Sequence, residues 1–125
     1  MKSITELYTD DFCNTPTRIP LEDLQGNPSE HWLGIVGAET RDSRVWTSIM
    51  QRDFLKVSGD DDGQVSERYD IVTAFLAKHV KEWSFKDEEC TLEAVIDALT
   101  KAPQLRTSVE QTIYQTSLFL KGSSN

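Results

Sequence analysis

The stretch from Val80 to Pro103, VKEWSFKDEECTLEAVIDALTKAP, constrains this chain most. Thr91 is a good N-cap, and Glu93 sits in the first turn, where the helix dipole favours an acid. Leu92, Val95, Ile96 and Leu99 follow at helical spacing. Pro103 lacks the N–H that a helix interior needs, so it stops the element. Upstream, Tyr69, Val72, Leu76, His79 or Val80, and Trp83 extend another apolar stripe. That spacing predicts a helix capped by Ser66, ending on Trp83 and running to about Phe85. Two scaffold helices joined by an acidic loop, without recognisable reaction chemistry, point to a protein that works by contact and not by catalysis.

The other elements follow from the same periodicities. Residues 1–16 carry little pattern and read as a loose N-terminal arm. Arg18 to Leu24 is short and extended, with Pro20 restricting it to a sheet edge. Gln25-Gly26-Asn27-Pro28 is turn chemistry, and His31 to Gly37 reads as a second strand. Two strands alone are marginal in water, so this hairpin must lie on helices or pair with another chain. Thr40 or Asp42 caps a helix to about Val57, with Val45, Trp46, Ile49, Met50, Phe54 and Val57 in line. Ser58 to Gly63 breaks it. A last helix is expected from Gln104 to Lys121, and residues 122–125 as a frayed tail. The expected fold is mainly α, or α+β by strict count. A small N-terminal β-hairpin precedes about four helices in one domain over residues 17–121.

Composition narrows the function. With 125 residues, 38% of them hydrophobic and 27% charged, one soluble globular domain can bury its own core. Acids outnumber bases 21 to 13, and the bases are scattered, which disfavours direct nucleic-acid binding. The net charge of −8 allows a basic partner surface, although solubility alone accounts for it. No apolar run reaches the roughly 20 residues of a membrane span, and the start lacks the apolar centre of a secretory signal. Two cysteines, Cys13 and Cys90, are too few for a disulfide framework and read as free thiols. Both could react, although Glu88 and Glu89 disfavour a thiolate at Cys90.

Candidate sites weigh lightly. With Gly63 placed at the glycine of an EF-hand loop, Asp60 and Asp62 fit ligand positions. Ser58 and Tyr69 then fail at the first and twelfth, so a solvated acidic turn is the better reading. His31 and His79 are the only histidines, too few for zinc, and His79 lies beside an apolar stripe as a packing residue. A Cys–His nucleophile pair, or a small hydrolase using Cys90 or His79, has no local motif behind it. Asp87, Glu88 and Glu89 are explained by the following helix N-terminus, and Trp83 as a structural pin. No metal, cofactor or catalytic residue is assigned. The contact candidates are Ile19, Leu21, Leu33 and Ile35 on the hairpin, and Leu118, Phe119 and Leu120 near the C-terminus.

Val36-Gly37 leads after a short gap to Asp42-Ser43, which opens an amphipathic helix. A second helix is read to end in Glu82-Trp83-Ser84-Phe85, with acids after it. Thr91-Leu92-Glu93-Ala94-Val95 opens a third, closed by Lys101-Ala102-Pro103-Gln104-Leu105 ahead of a final helix. In this order the chain resembles the tail assembly chaperones of long non-contractile-tailed bacteriophages over roughly residues 17–120. It departs from their pattern in the wider gap from Gly37 to Asp42-Ser43, and in having Lys86-Asp87-Glu88-Glu89 where a glycine is common. The resemblance implies a non-enzymatic protein of the host cytoplasm, absent from the mature virion. Such a protein binds the tape-measure protein, keeps it soluble and helps recruit tail-tube protein. Many members are made in a short form and a frameshifted long form, and self-association would help such coating. The alternative is an acidic interaction or inhibitor protein that mimics nucleic acid, motivated by the −8 charge.

Overall fold

The computed structural model describes residues 3–8 and 10–115. The hairpin comes first: β1 (Thr17–Glu22) pairs antiparallel with β2 (Pro28–Ile35). Its turn is built by Asp23, whose carboxylate accepts the N–H groups of Gln25 and Asn27, both at 2.9 Å. Gly26 sits between them at φ +83°, a region that favours glycine. A third strand, β3 (Val80–Trp83), pairs antiparallel on the other side of β2 and completes a sheet of order β1-β2-β3. The partner that the hairpin needs is thus a strand of its own chain as well as helices.

Around the sheet lie α1 (Asp10–Asn14), α2 (Arg41–Leu55), α3 (Asp62–Ala77), α4 (Leu92–Lys101) and α5 (Pro103–Ile113). The α+β expectation, an N-terminal hairpin followed by helices, agrees with this architecture. The caps are those that the residue types favour. Thr40, Asp61 and Thr91 accept the N–H groups of Ser43, Gln64 and Ala94 at 3.0, 2.9 and 3.1 Å. Ala102 ends α4 and begins α5 in one residue, with Pro103 in the first turn where its missing N–H matters least.

The helix expected from Ser66 to Phe85 is corrected at both ends. Asp61 caps it, five residues before Ser66, and it closes at Ala77. Val80 to Trp83 is strand, and the reason is a bulge. Val80 pairs with Ile35 and Trp83 with Leu33, so three positions on β3 match two on β2. A spacing of three, which reads as helical, here puts two residues opposite successive core-facing positions of a strand.

The core is the inward face of β2 and β3 closed by α3, α4 and α5. Leu33, Ile35, Leu76, Val95, Leu99, Val109 and Ile113 are buried in it. The arm expected over residues 1–16 is anchored at one point, while Ile4, Leu7, Tyr8 and Phe12 are exposed. Cys13 on α1 is buried, and its carbonyl accepts the Gly37 N–H at 2.7 Å, which ties α1 to the exit of β2. α5 ends at Ile113, with Tyr114 as its C-cap. The helix expected to run to Lys121 therefore stops at Ile113, and Leu118, Phe119 and Leu120 lie outside the described residues. Among the described residues no helix is long and apolar enough to cross a membrane.

Candidate functional site

Two of the expected hairpin contacts are core residues. Leu33 and Ile35 are 1% and 0% exposed, and Ile19 and Leu21 are half-buried against the same cluster. The sheet has one apolar face, and α3 to α5 take it. Its other face is polar. The Arg18 guanidinium lies 3.9 Å from the centre of the Trp32 ring and 3.6 Å from the Glu82 carboxylate. Glu82 crosses above Gly34, where a side chain would collide with it. Pro20 stands on the edge strand β1, opposite Trp32 of β2, and brings no backbone donor, which blunts this edge.

Buried polar chemistry is concentrated at Ser43 and His79. The His79 Nδ1 is 3.0 Å from the Phe75 carbonyl, which can only accept, so the proton resides on Nδ1. Nε2 then accepts from the Ser43 hydroxyl at 2.7 Å. The arrangement matches a base beside a hydroxyl, but Ser43 and His79 are 1% and 0% exposed, between the edges of the Trp46 and Phe75 rings. No substrate reaches them, and the pair pins the first turn of α2 to the end of α3. Burial pulls the His79 pKa down to about 4, with Lys81 and Lys78 adding to the effect, so the ring is neutral near pH 7. Both ring nitrogens are taken, so His79 does not serve Cys90. Burial, assisted by Glu82, raises the Cys90 thiol pKa. The sequence marks His79 as a packing residue but not Ser43 as its partner: a serine three residues after Thr40 and next to Asp42, in the first turn of a helix, gives no such signal.

Ser84 extends the sheet through its side chain. Its N–H donates to the Trp32 carbonyl at 3.1 Å, and its hydroxyl accepts the Trp32 N–H at 2.8 Å. The same hydroxyl is 3.0 Å from the His31 Nδ1, and the His31 ring stacks on Phe85. The open cleft beside them, about 490 Å³, is bordered by Glu30, Lys86 and Asp87. A hydroxyl that already accepts a backbone N–H is a poor nucleophile, and Ser84 is occupied in joining β3 to β2. Asp61 caps α3, and Gly63 lies inside that helix. The Glu88 carbonyl accepts the Trp83 indole N–H at 2.9 Å, consistent with Trp83 as a pin. Among the described residues no cluster of three potential ligands can hold a metal ion.

What stays open is the pair α2 and α3. Between them runs a groove of about 280 Å³ with Trp46, Ile49 and Met50 on one side and Ile71, Ala74 and Phe75 on the other. Asp53, Glu67 and Asp70 stand on its rim, and Lys78 at one end. Past Met50, a second hollow of about 420 Å³ is lined by Phe54, Leu55 and Val72 with Gln51. Leu55 is 81% exposed and Phe54 40%, although both belong to the helix that the periodicity marked as core-facing. Arg68 holds the far end of the pair, donating to the carbonyls of Val57 at 2.9 Å and Gly59 at 2.6 Å. Compared with protein-family models, with curated proteins and with solved structures, the chain matches none.

Proposed function

We propose that this chain is a phage tail assembly chaperone: a non-enzymatic protein of the host cytoplasm that coats the tape-measure protein, keeps it soluble and helps recruit tail-tube subunits. The observation that carries the reading is the unpartnered apolar surface of α2 and α3, with Phe54 and Leu55 turned to solvent beside an open groove. Exposed apolar surface grouped in this way marks a contact site. Two helices side by side offer ridges and a groove into which a third helix packs. The acidic balance keeps such a protein in solution while it carries an apolar face.

The elements behind the resemblance support it in part. Asp42-Ser43 opens α2, and α4 starts after Thr91 and gives way to α5 at Pro103. Trp83, the third marker, stands on a strand. The test is co-expression with a tape-measure protein, the long helical partner that the resemblance names. The expected result is more soluble tape-measure protein, with the two co-purifying. Unchanged solubility together with no co-purification would sink the proposal.

A further inference from the structure

We infer that the α2–α3 groove receives an amphipathic helix carrying Lys or Arg at one end, with that end lying against Glu67 and Asp70. This deepens the assembly-chaperone reading and rests on it for the identity of the natural partner. The groove floor is built from two helical ridges. Trp46, Ile49 and Met50, and opposite them Ile71, Ala74 and Phe75, repeat at three- and four-residue steps. That is the ridge pattern of two helices prepared for a third. From Trp46 to Asp53 the groove runs along α2 for about two turns, roughly 10 Å. A short helical segment fills that length.

The polarity of the groove comes from its charges. At one end stands Lys78; towards the other stand Glu67 and Asp70. Glu67 and Asp70 are three apart on α3, so they are neighbours of like charge on one helix face. Neither forms an ion pair among the described residues. The nearby bases are committed elsewhere. Arg52 and Lys56 are directed to Asp53 at 3.1 and 4.0 Å, and Arg68 to backbone carbonyls. Two uncompensated acids beside an apolar floor fit a ligand that brings its own cations and fixes its direction by them. A second copy of this chain is a poorer occupant, because a surface of net charge −8 meets another of the same sign.

The probe is a pair of synthetic helical peptides with one shared apolar face, one ending in lysines and the other in glutamates. Binding is read by fluorescence anisotropy against the full chain at low salt. The lysine peptide is expected to bind about tenfold more tightly, and the difference to shrink as salt rises. The double variant E67Q/D70N should lose about fivefold in affinity for the lysine peptide, and E67K/D70K should reverse the preference. Both substituted side chains, Glu67 and Asp70, lie at exposed positions, so the fold is retained. The control D87N/E88Q makes the same charge change away from the groove and should leave binding unchanged. Equal binding of both peptides, equal losses in E67Q/D70N and D87N/E88Q, or no binding at all would each overturn the inference. So would a dimer in sedimentation equilibrium that E67K/D70K dissociates. If tape-measure protein is solubilised equally by the native chain and by E67K/D70K, the groove assignment fails and the chaperone reading stands. If the lysine peptide behaves as expected but tape-measure protein is not solubilised, the reverse holds.

Discussion

His79 is neutral because it is buried, and that has a consequence in acid. Its pKa is about 4 in the folded chain against 6.5 for an unperturbed histidine. Between those values the unfolded chain binds a proton that the folded chain does not, so stability falls as pH drops through that window and is fully present above it. The whole window is worth about 3 kcal/mol. Replacing His79 by Leu should remove this share of the acid dependence in a series of thermal melts. At pH 7.5 the same variant should be less stable by about 1–3 kcal/mol, since the Ser43 hydroxyl is left buried without a partner. Adding Ser43→Ala should recover part of that loss; a wholly additive double variant would contradict the bond. Arg68 gives a second test at this scale. Its two bonds to the carbonyls of Val57 and Gly59 close the α2–α3 turn, so Arg68→Met is expected to lower unfolding free energy by about 2 kcal/mol in urea titration. Neither role was legible in the chain as written. Histidine and arginine announce their chemistry but not their partners, and Ser43 and the two carbonyls meet them only through tertiary packing.

Among the elements, what local chemistry decides is legible and what pairing decides is not. Thr91, Pro103, the Gln25–Pro28 turn and the Pro20 edge act within a few residues: Thr91 and Pro103 bound α4 where the sequence puts it, while β1 and β2 exist as expected but end at Glu22 and Ile35, before Leu24 and Gly37, and β2 begins at Pro28 inside the expected turn. β3 is the counterexample. Val80 and Trp83 satisfy a helical period, but β2 has an unpaired second edge and the bulge absorbs the odd residue. Nothing within the segment itself distinguishes the two outcomes. The strand makes a clear spectroscopic prediction. Backbone chemical shifts of Val80 to Trp83 should have strand sign, and the Val36 amide, which donates to the His79 carbonyl at 2.9 Å, should exchange slowly. Helical shifts across those four residues would return them to α3.

At the scale of the whole molecule, the sheet and α3 to α5 consume one another's apolar faces, and α2 is left with more apolar surface than it can bury. The sequence showed α2 as an amphipathic helix but could not show how wide a face the rest of the fold would cover. Val45, Phe54 and Leu55 therefore remain exposed, while Leu33 and Ile35, which looked available on a hairpin, are enclosed. The expected contact surface thus moves from the hairpin to the helix pair. This separates stability from function in a way that one substitution can test. Leu55 is 81% exposed, so Leu55→Asp removes little burial and should change the unfolding free energy by no more than about 0.5 kcal/mol. It also places a charge at the apolar end of the helix pair, in the hollow that Leu55 shares with Phe54 and Val72, where an apolar partner would have to desolvate it. The same variant should therefore lose most of its ability to keep tape-measure protein soluble in co-expression while melting as the native chain does. If it melts normally and solubilises normally, the apolar end of the helix pair is not where the partner lies.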